Sequence, residues 1–377
     1  MRKERYNRCM KIVMTGGHHS SALPVIEELK KRLSNPEFLW VGHKFSLKED
    51  KNESLEYKEI VALNIPFYEL KTAKFYKNLK LSSVKTFFEA FGDIYKVLRA
   101  YKPDLIMSYG GYLAVPVVLA GWFQRVPIIT HEQTVTVGYA NRVISFFASK
   151  ILVSWEESLK FLPKNKTVIT GIPLRNSIFG SQSQRFNIVN ELPTIYVTGG
   201  KSGAHKINML IKDSLAELLT FCNVIHQCGD YSVYNDYALL TDYHQVLLSS
   251  DLPGEYFLEK FVFDNNIGEV FSKAKLVVSR AGAHIVSELF ALNKPCILIP
   301  IPWVSHDEQR KNAEMLKKLG IALDLDETNL NAEEFILFVK RILADPSKYS
   351  VKFDTKKKFI YSAGLIADEI IKQTKGN

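Results

Sequence analysis

The stretch Lys275–Ala313, KLVVSRAGAHIVSELFALNKPCILIPIPWVSHDEQRKNA, decides the fold. Leu276-Val277-Val278 is a short apolar run of the kind buried in a parallel sheet. Ser279-Arg280-Ala281-Gly282-Ala283 follows as a turn of small residues around one arginine. From His284 to Leu292 the apolar positions Ile285, Leu289 and Leu292 recur at helical spacing, and Cys296 to Pro300 is the next apolar run. The pattern predicts a strand, a glycine-bearing turn, a helix and a strand.

That arrangement aims the N–H groups of a helix N-terminus at whatever lies above the strand ends, a place that favours an anion. Arg280 adds a permanent positive charge. Glu288 lies one helical turn further on, where a carboxylate can accept both hydroxyls of a ribose diol. Asp307, Gln309 and Asn312 follow the next strand, at the same carboxyl edge. A phosphate site, a diol acceptor and amide side chains on one rim suggest a nucleotide-sugar pocket. An ordinary β-α-β unit with a solvated Glu288 and Arg280 meets the same spacing, because open α/β sheets contain many such units.

At 377 residues the chain fits two domains better than one. Its hydrophobic content of 46% and charged content of 24% are those of a globular protein. No apolar run approaches a membrane span, and the N-terminal MRKERYNRCMKIVM has no apolar core of signal-peptide length. Cys9, Cys222, Cys228 and Cys296 have no metal-ligand spacing and suit a reducing compartment. A net charge of +9 points to an anionic partner. No zinc finger, RNA-recognition signature or basic-helix pattern favours nucleic acid.

The same alternation runs through the rest of the chain. Lys11–Met14 reads as a strand, Thr15–Ser21 as a glycine-and-hydroxyl turn, Ala22–Leu33 as a helix with Pro24 in its first turn, and Phe38–Val41 as the second strand. G-x-G-x-x-G is absent, so a nicotinamide cofactor has little support. His18 stands beside two glycines where the helix begins, and a structural or a catalytic role fits it equally. Lys71–Tyr101 interleaves lysines with Phe75, Tyr76, Phe87 and Phe88. It reads equally as a contact with an anionic membrane surface or as a loop and core-packing helix with a solvated lysine face. Pro103–Met107 is a strand before the turn Ser108–Tyr112 and the helix Leu113–Phe123. Val126–Thr130 is another strand, which ends in the turn His131–Thr134, and Gly138–Ala148 is a helix. A polar, turn-rich stretch, 177–193, reads as a linker between domains at 1–176 and 194–360. The second half opens with the strand Thr194–Thr198 and the turn Gly199–Ala204. GGKS there lacks the first glycine of a P-loop, since Ile195 occupies that position. Phe257–Phe263 reads as a strand and Ile267–Ala274 as a small helix. Ser362–Ile371 is an amphipathic helix, and a helix at about 361–377 could pack back on the first domain.

Several motifs together resemble one family. They are TGGH (Thr15–His18), GGY (Gly110–Tyr112), HEQ (His131–Gln133), G-x-P-x-R (Gly171–Arg175), GG-x-x-GA (Gly199–Ala204), R-x-GA-x-x-x-SE (Arg280–Glu288) and D-x-Q-x-x-NA (Asp307–Ala313). In this order they are similar to the MurG-type UDP-N-acetylglucosamine transferases of glycosyltransferase family 28. The resemblance implies the GT-B fold, an α/β architecture of two doubly wound Rossmann-like domains facing across a cleft. It implies His18 as catalytic base, with His19 as its competitor, and places Gly17, Tyr112, His131, Glu132, Gln133 and Asn141 on the acceptor side. Gly200, Lys201, Ser202, Arg280, Gly282, Ala283, Glu288 and Gln309 correspond to donor-binding positions, and Arg175 to the domain junction. The departures are a shortened first glycine loop, Thr134 where HEQ is followed by Asn, Lys201 and Ser202 where the family has serine and glutamine, and Arg310 beside Gln309. Lys201 still suits a pyrophosphate electrostatically.

The reaction so implied is an inverting transfer of N-acetylglucosamine from its UDP donor to the 4-hydroxyl of lipid I, in peptidoglycan synthesis. It takes no cofactor and no obligatory metal, as no D-x-D pair stands in the central stretch. The implied partners are UDP-N-acetylglucosamine, lipid I and an anionic membrane surface, touched through Lys71–Phe88 at the cytoplasmic face. Three alternatives stay open: a related transferase acting on another lipid, a UDP-N-acetylglucosamine epimerase, and a non-catalytic nucleotide-sugar-binding protein. The sequence carries no signal for an oligomeric state.

Overall fold

The computed structural model describes residues 9–17, 19–45, 53–72, 81–180, 183–200, 202–231, 233–303, 307–352 and 361–375. The chain divides into two compact units: unit 1 is Met1–Arg175 with Phe359–Asn377, and unit 2 is Asn176–Lys358.

Unit 1 alternates strands and helices: β1 (Lys11–Thr15), α1 (His19–Arg32), β2 (Glu37–Gly42), α2 (Leu55–Ala62), β3 (Phe67–Glu69), α3 (Leu81–Tyr101), β4 (Leu105–Ser108) and α4 (Ala114–Phe123). Then follow β5 (Ile128–Glu132), α5 (Tyr139–Phe147), β6 (Lys150–Val153) and β7 (Thr167–Ile169). The seven strands are all parallel, in the order β3-β2-β1-β4-β5-β6-β7. The central strands are buried and mostly apolar because helices cover both faces. Ile12, Met14 and Trp40 pack toward α1, while Val13, Val41 and Ile106 pack toward α3 and α4. On α3 the buried positions are Ala90, Ile94 and Leu98, and Phe88 on another face is exposed.

Unit 2 repeats the plan: β8 (Thr194–Thr198), α6 (His205–Leu218), β9 (Asn223–Gln227), α7 (Asp236–Leu247), β10 (Tyr256–Glu259), α8 (Asp264–Lys273), β11 (Ala274–Ser279) and α9 (Ala283–Ala291). It continues with β12 (Cys296–Leu298), α10 (Glu308–Lys318), β13 (Ala322–Asp324) and α11 (Ala332–Ala344). Its six strands run β10-β9-β8-β11-β12-β13, also parallel. Both sheets are doubly wound, with the strand order reversing between β1 and β4 and between β8 and β11. Ligands bind at such switch points, outside the carboxyl ends of the strands.

The last helix, α12 (Ser362–Lys375), lies in unit 1. Ile366, Ala367 and Ile370 are buried with Val25 and Leu29 of α1, and Arg32 donates to Asp368 at 2.7 Å and to Gly364 O at 3.2 Å. Residues 183–193 are tied to unit 2. The Glu269 carboxylate accepts the N–H groups of Arg185 and Phe186, and Arg185 forms an ion pair with Glu259 at 2.7 Å.

Several boundaries differ from the sequence reading. Helix α1 begins at His19, so Pro24 falls in its second turn, where it withholds an N–H from the Ser20 carbonyl. His131 and Glu132, read as part of a turn, are the last two residues of β5. The strand read at Phe257–Phe263 is Tyr256–Glu259, and the helix after it starts earlier, at Asp264.

One buried group makes unit 1 sensitive to pH. Burial pushes the Glu56 carboxyl up to about 7, opposed by hydrogen bonds from Trp40 Nε1 (2.6 Å) and the His43 N–H. The folded chain therefore holds this proton more tightly than the unfolded chain. The stability it contributes is complete below about pH 4.5 and is lost as pH rises through about 7. Urea unfolding of wild type should weaken over that window by up to about 3 kcal/mol from this group. Glu56→Gln, which keeps the acceptor for Trp40, should flatten the profile there.

Candidate functional site

At the carboxyl edge of unit 1, the glycine turns after β1 and β4 touch. A Cβ on Gly16 would stand 2.8 Å from Gly110 O. Gly110 itself has φ +72°, and a Cβ there would lie 2.6 Å from Asn141 Nδ2, so no larger residue fits.

Asn141, on the first turn of α5, donates to Glu132 Oε2 at 2.9 Å and accepts from Thr130 Oγ1 at 2.9 Å. The other Glu132 oxygen accepts the N–H and the hydroxyl of Thr134, and Oε2 also accepts the N–H of Gly138. Glu132 thus ties the loop 133–138 into a compact entry to α5. The His131 ring bonds Gly171 O at 2.9 Å and meets Tyr109 edge-on. Gln133 is buried, its backbone carbonyl accepts from Trp155 Nε1, and its amide atoms have no hydrogen-bond partner among the described residues.

Of the acceptor-side candidates, His131, Glu132, Gln133 and Asn141 are therefore buried beneath the edge, whereas Gly17 is exposed and Tyr112 and His19 are half-buried. His19 Nε2 pairs with Glu59 Oε2 of α2 at 2.7 Å. The Tyr112 hydroxyl is 2.7 Å from Nε2 of His43, at the end of β2. The sequence reading passed over His43, a lone histidine with no motif around it. His18 lies outside the described residues.

In unit 2 the turn 199–204 is held against the end of β9. Gly200 N donates to Thr198 Oγ1, and Gln227 Nε2 donates to Gly200 O. Gly203, at φ +79°, packs so closely that a Cβ would lie 2.0 Å from Cys228 O. This delivers the chain to Ala204, the N-cap of α6. Behind it, Asn208 donates to Asp236 and Cys228 O, and His226, pushed down to about 3 by burial, stays neutral beside Asn208. Ser202 is exposed on the turn, and Lys201 lies outside the described residues.

Gly282 is the N-cap of α9, and Glu288 is buried on its second turn. Asn312 donates to Ala281 O at 3.0 Å, and Gln309 accepts the N–H of Ile301 at 3.1 Å, so both amides fix the loops of this rim. Arg280 does not stand as an isolated charge. It reaches across the strand ends to Ile299 O at 3.1 Å and to the Glu327 carboxylate at 2.5 Å, with the two side chains 11% and 1% exposed. Glu327 lies on a one-turn helix after β13, 47 residues further along the chain, and no local signal links the two. Arg175 is half-buried at the last position of unit 1. Among the described residues no three His, Cys, Asp or Glu side chains converge as metal ligands.

Removing one partner of a buried pair leaves the other charge uncompensated. Glu327→Gln should therefore destabilise unit 2 by roughly 3–5 kcal/mol in urea unfolding. A loss under about 1 kcal/mol would mean that Arg280 finds other partners.

Residues 12–153 match the glycosyltransferase family 28 N-terminal domain, and residues 194–370 its C-terminal domain. A Bacillus cereus UDP-N-acetylglucosamine–N-acetylmuramyl-(pentapeptide) pyrophosphoryl-undecaprenol N-acetylglucosamine transferase is 31% identical over 352 residues, 90% of this chain and 93% of that protein. The transferase of the same name from Clostridium botulinum is 33% identical over 85% of this chain and 86% of its own length. Among solved structures, MurG of Acinetobacter baumannii superposes with a TM-score of 0.71 at 22% identity, over 97% of this chain and all of that one. A UDP-GlcNAc 2-epimerase from Neisseria meningitidis superposes at 0.61 with 15% identity, over 98% of this chain and all of its own.

Proposed function

This chain belongs to glycosyltransferase family 28, and from that premise we propose that it moves N-acetylglucosamine from UDP-N-acetylglucosamine to the 4-hydroxyl of undecaprenyl-pyrophosphoryl-N-acetylmuramyl-pentapeptide, turning lipid I into lipid II. The observation that carries this is identity of 31% sustained over nine-tenths of the chain with a transferase of that name. The two doubly wound sheets are the GT-B architecture that such enzymes share.

The chemistry is a single displacement with inversion. A sugar hydroxyl is a weak nucleophile at neutral pH, so a base must take its proton as the new bond forms. An imidazole titrates in the right range. His19 is paired with Glu59 through Nε2, and the resemblance of TGGH to the family's glycine turn makes its neighbour His18 the base in this reading. The leaving UDP carries the developing charge. The N-terminus of α9 at Gly282 and that of α6 at Ala204 offer amide groups to its phosphates, and Lys201 adds a positive charge to the same segment of sequence. In this reading Glu288 takes the ribose hydroxyls and Gln309 the donor sugar, and no metal is required.

Transfer of labelled N-acetylglucosamine to a short-chain lipid I analogue tests this reading. Wild type should turn over, and His18→Ala should lose about 10²-fold or more in kcat. Equal rates would remove His18 from the base role. Donor binding without transfer would point to another acceptor.

Because the acceptor's lipid stays in the bilayer, we place the enzyme at the cytoplasmic face of the membrane, as a peripheral protein. Among the described residues no helix is long and apolar enough to cross a membrane. Lys71 and Lys85 flank the described ends of the basic-aromatic stretch, and residues 73–80 within it lie outside the described residues. The aromatic surface continues onto the next two helices. Phe91 of α3 meets Phe123 of α4, Trp122 contacts Phe147 of α5, and Phe88, Phe123 and Phe146 are 65%, 62% and 81% exposed. Rings of this kind with cations beside them suit an interface of anionic lipid. Binding to phosphatidylglycerol vesicles should weaken with added salt and fall about 10-fold or more in Phe88→Ser/Phe146→Ser. Unchanged sedimentation of that variant would place the contact elsewhere.

A further inference from the structure

We propose that His43 is a positioning residue for the acceptor: its imidazole holds the Tyr112 hydroxyl above the end of β1, and the hydroxyl so held hydrogen-bonds the lipid-linked sugar pyrophosphate. This rests on the acceptor reading given above for unit 1.

The geometry comes from topology. His43 follows β2 and Tyr112 follows β4, and β1 is the strand between them. The two side chains close over β1, with Nε2 at 2.7 Å from the hydroxyl and ring centroids 5.5 Å apart. This is the switch point of the sheet, where a ligand is expected. The turn that carries Tyr112 lies against the turn that leads to His18: a Cβ on Gly111 would be 3.5 Å from Gly17 N. The glycine turns after β1 and β4 thus lie side by side beneath the Tyr112–His43 pair.

The main chain of His43 is itself held from behind. The Glu56 carboxylate accepts the His43 N–H, and Ser54 Oγ donates to the His43 carbonyl at 2.9 Å. Ser54 is also the N-cap of α2, accepting from Tyr57 N. A Cβ on Gly42 would stand 2.4 Å from Glu56 Oε1, so the backbone before His43 is pressed onto α2. With its main chain clamped on both sides, His43 aims one ring nitrogen in a fixed direction. A phenol has one proton and two lone pairs, so a bond to His43 is compatible with another to substrate. His19, through Glu59, leans on the same helix. Helix α2 thus braces both histidines that flank the glycine turn.

The test is a double-mutant cycle on transfer to the lipid I analogue, with His43→Leu, Tyr112→Phe and the double variant. Each single change should raise the acceptor KM about 10-fold and leave the KM for UDP-N-acetylglucosamine unchanged. The double variant should be no worse than either single, because the two residues act as one. His43→Gln, whose amide can still bond the hydroxyl, should recover most of the loss. An unchanged acceptor KM in His43→Leu, or losses that multiply in the double variant, would overturn the proposal while leaving the transferase reading intact. No turnover by wild type would reject the acceptor reading and this inference with it.

Discussion

A parallel sheet sends every strand's outgoing loop to the same edge, and those loops must be both irregular and buried if a ligand is to sit on them. Their N–H and carbonyl groups then need partners that no regular element supplies. In unit 1 the Glu132 carboxylate meets this need, drawing Thr134, Gly138 and Asn141 around itself. In unit 2 Asn208, Gln227 and Asn312 do so, each donating to a backbone carbonyl of the edge. The rest of each site inherits its rigidity from these side chains. The motif residues that look most chemical are, for the most part, the ones that build the rim.

Charge follows the same logic. A guanidinium placed beside a helix N-terminus reads as a phosphate ligand until its own partner is seen. Glu327 balances Arg280, and Ile299 O takes another of its protons. The pair joins the loops after β11, β12 and β13 into one surface. In the reading proposed above, a leaving diphosphate would meet the fixed dipoles of the two helix N-termini and the turn at Ser202. That is pre-oriented stabilisation, which costs no reorganisation as charge develops.

Strand and helix alternation, the glycine turns and the repeat of one plan in two halves were legible in the sequence, because apolar period and turn chemistry are local. So was the placing of the Arg280–Glu288 and Tyr112 segments at the ends of strands. What those side chains touch was not legible, since Arg280–Glu327 and Tyr112–His43 join residues 47 and 69 positions apart. Thr134 shows the point at the scale of one atom. As a departure from HEQN it looks like a lost amide. In the fold its hydroxyl and its N–H both reach Glu132 Oε1, so it still supplies donors to that carboxylate. Helix α2 escaped notice for a related reason: it is short, and its value lies in Ser54, Glu56 and Glu59 acting on distant histidines.

The fold alone does not separate transfer from epimerisation, for an epimerase superposes on this chain nearly as well as a transferase does. The carboxylates described at the edge of unit 1 bear on the difference. An epimerase needs carboxylates placed to move protons on the sugar. At the edge of unit 1 Glu132 is buried and spent on the loop that enters α5, Glu59 is bound to His19, and Glu56 bonds Trp40 and the backbone of His43. Each stands behind a histidine or a loop, in the role of brace. Among the described residues, His19, His43 and Tyr112 are half-buried at that rim.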